Sequence, residues 1–150
     1  MNLSDHFTLE EMTQSSTATK RGIANIPDDD HALNLVRLCT TLLEPIRDIL
    51  NLPMQINSGY RCPALNAAVG GVMNSAHMDG RAADFIVPGT DLNLAWDQIQ
   101  EHKDDLPFDQ LIWERNGLGS QWIHAAIAAD GADPRGQVLR LYQPERKAKG

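Results

Sequence analysis

Leu35, Leu38, Leu42, Ile46 and Ile49 recur at three- and four-residue steps and mark the clearest helix of the chain. It starts behind Pro27-Asp28-Asp29-Asp30, with acids placed where the helix dipole favours them. Pro45 falls inside this run and predicts a bend or a handover between two helices, because proline has no N–H to donate back along the helix. Upstream, Thr8-Leu9-Glu10-Glu11 has the form of a capping box and predicts a short helix, while Ser15 to Lys20 shows no period and reads as loop. Past residue 50 the pattern changes. Met54-Gln55-Ile56-Asn57-Ser58 alternates as a half-buried strand does, Cys62 to Val69 reads as a short helix stopped by Gly70-Gly71, and Ala82 to Val87 reads as a short apolar strand. Asp91 caps a helix expected from Leu92 to His102, with Leu94, Trp96 and Ile99 among its apolar positions. Phe108 to Glu114 and Gln121 to Ile127 flank a Gly-containing loop and are expected to pair as an antiparallel hairpin. Gln137 to Tyr142 reads as a last strand before a polar tail, 143–150, expected to fray. The sum is an α+β fold, N-terminal helices packed on a small antiparallel sheet, in a single domain covering residues 1–150.

Composition narrows the function without choosing it. The chain has 150 residues, enough for one core, and its 42% hydrophobic and 22% charged fractions suit a globular domain. A formal net charge of −7 argues against nucleic acid as a partner, since phosphate recognition needs a basic surface. No apolar run approaches the roughly 18 residues of a membrane span. Met1 to Phe7 lacks the basic and apolar regions of a signal peptide, so the chain is expected in the cytoplasm as synthesised. In that compartment Cys39 and Cys62 are not expected to form a disulfide, and Cys39, inside the helical pattern, reads as packing.

The chemistry concentrates in Ser75-Ala76-His77-Met78-Asp79-Gly80-Arg81-Ala82-Ala83-Asp84. Zinc takes imidazole nitrogen and carboxylate oxygen at about 2.0 to 2.2 Å, and a catalytic site uses three protein ligands with one position open. His77 and Asp84 supply two, and Gly80 lets the backbone turn between them. The best third candidate is His124, in the strand-like run Trp122 to Ile127. Taken alone, each residue has a plainer reading, and an isolated His in an apolar strand is more often a satisfied core histidine than a ligand.

Together they resemble the His-x-x-Gly-x-Ala-x-Asp signature of the zinc D-alanyl-D-alanine carboxypeptidases and related phage endolysins, which share a hedgehog-like fold. Ser58-Gly59-Tyr60-Arg61 resembles that family's Ser-Gly-Tyr-Arg segment, and Trp122-Ile123-His124 its final ligand strand. The resemblance implies Zn2+ held by His77, Asp84 and His124. It implies a substrate-contacting Arg61, whose guanidinium can bind a carboxylate or a developing oxyanion. Ser75 would bond substrate or a ligand's supporting shell.

One position departs from the family. Many members carry an acid three residues before the last histidine as general base, and here that residue is Gln121, whose amide cannot accept the proton. Glu114, on the strand expected to pair with that of His124, is the local substitute; its other reading is a solvated strand-end glutamate. Asp79 and Asp109 are weaker candidates, Asp109 being suited to a turn. Trp113 and Trp122 fit a core better than a substrate platform. His6, His31 and His102 have no ligand-like neighbours and receive no role.

The activity implied is zinc-dependent hydrolysis of a peptide bond in bacterial peptidoglycan, in the stem or cross-link, by a carboxypeptidase or an endopeptidase. The partner would be the wall peptide and the state monomeric. An acidic surface poorly matches anionic wall polymers, so binding would come from the cleft. The endolysin branch implies a phage or prophage enzyme that reaches the wall after release, or one carried in a virion. The alternative is a module of the same fold that keeps the metal and has lost catalysis.

Overall fold

Thr8 accepts the Glu11 N–H and the Glu11 carboxylate accepts the Thr8 N–H, so helix α1 (Leu9–Thr13) begins where the capping box places it. The computed structural model from which the fold is read describes residues 1–143. The stretch from Ser15 is not loop as expected but helix α2 (Ser16–Arg21): Ser15 Oγ caps the Ala18 N–H, and Lys20 and Arg21 lie at the negative end of the dipole. Six residues are too few to show a hydrophobic period, which is why only its caps could have revealed it.

Helix α3 (Asp29–Leu38) is capped by Asp28, and Leu35, Leu38, Leu42 and Ile46 are wholly buried along its inward stripe. Each such burial contributes about 1.5–3 kcal/mol. The stripe passes into α4 (Glu44–Leu50) through a wide π turn at Cys39–Leu43, in which the Glu44 N–H reaches back to the Cys39 carbonyl. Pro45 sits in the first turn of α4, where its missing N–H costs least, so the handover expected at the proline takes the form of a widened turn. Cys39, buried in this turn, has its thiol pushed up to about 12 by burial, as an inert packing residue should. Both cysteines are free.

The sheet has five strands, β1 (Gln55–Ser58), β2 (Ala82–Ile86), β3 (Gln110–Asn116), β4 (Gln121–Ala126) and β5 (Gln137–Gln143), in the order β1-β2-β4-β3-β5. The β3–β4 hairpin is antiparallel as expected, and β2 and β1 continue the pattern. The expectation of a wholly antiparallel sheet fails at β5, which runs parallel to β3. The segment after β4 crosses β3 at the end where β4 finished, so β5 must start beside Gln110 and run with β3. Arg135 anchors that crossing, bonding both carboxylate oxygens of Asp109 at 2.8–3.2 Å. Gln143, assigned to the tail by sequence, closes β5 opposite Asn116; residues 144–150, where the rest of that expectation falls, lie outside the described residues.

Strand alternation divides the sheet. Leu111, Ile123, Ala125, Ala83 and Phe85 share one face and join α3, the π turn, α4 and α6 (Leu92–Glu101) in the core. In α6 the buried positions are Ala95, Trp96 and Ile99, whereas Leu94, another of its apolar positions, is exposed. The other face carries Ile112, Glu114, Trp122, His124 and Asp84, and the segment that follows α5 (Pro63–Ala68), from Val69 to Val72, borders the same cleft. Among the described residues, no helix is long and apolar enough to cross a membrane.

Candidate metal centre

His77 lies on a 3-10 turn, Ala76–Asp79, which starts at Ser75 because the Ser75 hydroxyl accepts the His77 N–H. The turn ends at Gly80 with φ +75°, and a Cβ there would run into the His31 carbonyl, so both the conformation and the close approach require glycine. Asp84 and His124 are direct cross-strand partners on β2 and β4. The two strands thus fix the carboxylate and one imidazole, and the 3-10 turn brings in the other.

His77 Nδ1 stands 2.7 Å from the Gly59 carbonyl and must donate to it, which leaves the Nε2 lone pair facing Asp84 Oδ1 at 3.3 Å. His124 Nδ1 lies 2.9 Å from the same oxygen, and the two rings meet edge to face with centroids 5.2 Å apart. The three candidate ligand atoms all fall within 4.8 Å of one another. Donors about 2.0–2.1 Å from a tetrahedral ion stand about 3.3–3.4 Å apart, which the His77–Asp84 separation already matches. The donor chemistry fits as well, since two imidazoles and one carboxylate are a zinc set and the His77 tautomer is fixed by a backbone carbonyl behind it.

Burial would raise the Asp84 carboxyl, but the imidazoles beside it, His124 Nδ1–H donating to Oδ1, hold it well below the usual carboxylate range. Burial lowers His77, which is only 2% exposed, and outweighs the pull of Asp84. At His124 burial acts the same way but the Asp84 hydrogen bond and charge prevail, so its imidazole is raised. The carboxylate and His77 are thereby held in the ionised and neutral forms that ligate a metal, and His124 would give up its Nδ1 proton to join them.

This triangle lies in a cleft of about 800 Å³. Arg61, Ser75, Glu114, Trp122, Leu139 and Leu141 are among the residues lining it. Arg61 reaches the Ser75 hydroxyl through Nη2 at 3.4 Å. Glu114 is 7% exposed, not a solvated strand end, and its carboxyl is raised by burial first and by the Asp84 charge second, against smaller pulls from His124, Trp122 and Arg61. Gln121 shares the parity of Ile123 and Ala125 on β4 and does not line the cleft. Asp79 is taken up by Arg81 at 2.8 Å, and Asp109 by Arg135. Trp113 packs against the core under the Arg140 guanidinium, whereas Trp122 turns to the cleft, against its expected core place. His6 pairs with Glu44, His31 with Asp28, and His102 bonds the Gln98 carbonyl, and none of the three joins the triangle.

Two contributors escaped the sequence. The Gly59 carbonyl is a backbone group, and no residue pattern announces its role toward His77. Asn25 bonds three main-chain groups around that glycine, and its only signal is an asparagine in a loop.

Two imidazoles and a carboxylate converging in a cleft, beside a second, buried carboxylate, define a candidate divalent-metal centre. The chain belongs to the peptidase M15 family, zinc D-Ala-D-Ala carboxypeptidase-like peptidases, and the family's sequence model matches residues 5–126. That span holds all three members of the triangle, while β5, with Leu139 and Leu141 of the cleft wall, lies beyond it. No individual curated protein matches the chain significantly.

Proposed function

We propose that this chain is a zinc-dependent peptidase that hydrolyses a peptide bond of bacterial peptidoglycan, in the stem or the cross-link, from a single hedgehog-like domain. The observation that carries the proposal is the presence of the His77–Asp84–His124 triangle, Glu114 and Arg61 in one cleft of a peptidase M15 family member. A zinc ion held by His77, Asp84 and His124 supplies, when bound, a polarised substrate carbonyl and a more acidic water.

The chain's own residues do the rest. The Gly59 carbonyl holds the His77 tautomer, and the flanking histidines keep Asp84 ionised. Glu114 takes a proton from the attacking water and returns it to the leaving amine, a role favoured by a carboxyl whose pKa is raised toward the working pH. Arg61 donates to the developing oxyanion or to a terminal carboxylate. Ser75 steadies that guanidinium and contributes to binding of the peptide. Partners beyond the wall peptide, such as nucleic acid, are not required; the enzyme acts as a monomer, on the wall after release from the cytoplasm or from a virion.

The second reading, a module of the same fold that binds zinc without catalysis, rests on the missing acid at position 121, although Gln121 does not line the cleft and Glu114 does. Purified protein incubated with peptidoglycan separates the two. New amino groups that vanish with chelator and return with zinc support the peptidase, and muropeptide mass spectrometry identifies the bond. Stoichiometric zinc with no released product supports the module.

A further inference from the structure

We infer that Asn25, in the loop between α2 and α3, is a positioning residue for the candidate centre, orienting His77 and Arg61 through the segment 59–62. The inference takes from the peptidase reading what those two residues do; how Asn25 reaches them rests on hydrogen bonds alone. Asn25 Nδ2 donates to the carbonyls of Thr13 and Tyr60, each at 2.9 Å, and Oδ1 accepts the Cys62 N–H at 2.8 Å. Both amide protons and the amide oxygen are thereby committed to main chain.

The segment they hold is the one that meets the centre. The Gly59 carbonyl accepts from His77 Nδ1, the Tyr60 N–H donates to the Met12 carbonyl at 2.7 Å, and the Arg61 N–H donates to the His77 carbonyl at 3.0 Å. Gly59 docks so closely on Met12 that a Cβ would strike the Met12 carbonyl. Met12 and His77 hold the middle of the segment, while the Ser58–Asp84 pairing before it and the Asn66 N–H on the Cys62 carbonyl after it hold its ends. Asn25 alone ties the peptides on both sides of Arg61 to each other and to the end of α1, through the Tyr60 carbonyl, the Cys62 N–H and the Thr13 carbonyl. Remove it and those peptides lose their common bracket, which lets the Gly59 carbonyl shift on His77 Nδ1 and moves the base of the Arg61 side chain. Outer partners that fix a ligand's tautomer and ring angle change metal affinity by about 10- to 100-fold when lost.

The test uses metal-free, ¹⁵N-labelled protein and zinc titration side by side. In the parent, the His77 Nδ1–H is protected from solvent exchange and visible in imidazole ¹H–¹⁵N spectra. Asn25→Ala is expected to lose that protection and to weaken zinc binding by about tenfold. Asn25→Asp, which keeps an acceptor for the Cys62 N–H but faces the Thr13 and Tyr60 carbonyls with a carboxylate oxygen, is expected to behave alike. If Asn25→Ala does not fold, Asn25→Ser, able to donate to only one carbonyl, takes its place with a smaller effect in the same direction. Asp91→Ala, which removes the α6 cap behind the core, is the control: its thermal midpoint falls while the imidazole signal and zinc affinity stay parental. Asn25 variants that retain both signal and affinity overturn the inference, as does an Asp91→Ala protein that loses both. A parent that binds no zinc, yet has a protected Nδ1–H that Asn25→Ala loses, supports the positioning of His77 and overturns the peptidase reading instead.

Discussion

Glu114→Gln separates catalysis from stability because the two should move in opposite directions. Glu114 lies two residues along β3 from Ile112, the cross-strand neighbour of His124. At the rise of an extended strand that is about 7 Å, and a glutamate side chain spans enough of it to leave room for one water. Gln keeps the shape and removes the proton acceptor, so hydrolysis of peptidoglycan by the zinc-loaded protein should fall by about a hundred- to ten-thousand-fold, or about 3–5 kcal/mol of barrier. Stability should not fall with it. Burial and Asp84 raise the Glu114 carboxyl above its unfolded value, so the native state binds that proton more tightly. Its folding stability therefore declines as pH rises through the window between the unfolded and folded values, and the cost is fully present above it. The amide mimics the neutral form. Chelated Glu114→Gln should accordingly melt at or above the parent at neutral pH, and the gap should close on acidification into the ordinary carboxylate range. Amino-group release and calorimetry across pH read the two effects. A variant that cleaves at the parental rate refutes Glu114 as base, and one that melts well below its parent refutes the burial argument.

Other expectations are independent of the base. Arg61→Lys replaces the guanidinium fork with a point donor and should lower kcat/KM about ten- to a hundredfold, the worth of one hydrogen bond to a charged group, with zinc content unchanged by elemental analysis. Asp109→Asn loosens the start of β5. The Arg135 hydrogen bonds hold the Asp109 carboxyl below its usual range, so their stabilisation is present above the unfolded carboxylate value and lost as pH falls through the folded one. Because the Arg135 side chain is largely exposed, the loss at neutral pH should be about 1 kcal/mol or less, and urea curves of parent and variant, apart by that amount at neutral pH, should converge at strongly acid pH. Leu42→Ala opens a cavity under the π turn, where the leucine is fully buried, and should cost about 2–5 kcal/mol in the same urea assay.

Much of this architecture can be read from residues, for reasons that differ by element. The α3–α4 stripe, the hairpin and the Asp91 cap are local signals in which spacing or a side-chain oxygen states the structure directly. The triangle was legible through the spacing of His77 and Asp84 together with the resemblance of that stretch, and of Trp122-Ile123-His124, to a known family's motifs, since each residue alone fits a core role as well. What stayed hidden is non-local or too short to show a period. Nothing within Gln137 to Gln143 tells which edge of β3 it joins, and α2 is shorter than the period that would reveal it. Trp122 has the composition of a core residue and faces the cleft only because its strand partners put His124 there. Asn25 and the Gly59 carbonyl act through backbone bonds that sequence does not encode in residue type.

The central claim is that His77, Asp84 and His124 together hold a single divalent ion. Equilibrium zinc titration of chelated parent, His77→Ala, Asp84→Asn and His124→Ala tests it most directly. The parent should take up one ion per chain, and each substitution should weaken binding by more than about a hundredfold, beyond what loss of an outer partner does. A parent that takes up no zinc, or any one of the three variants binding it as tightly as the parent, contradicts the claim.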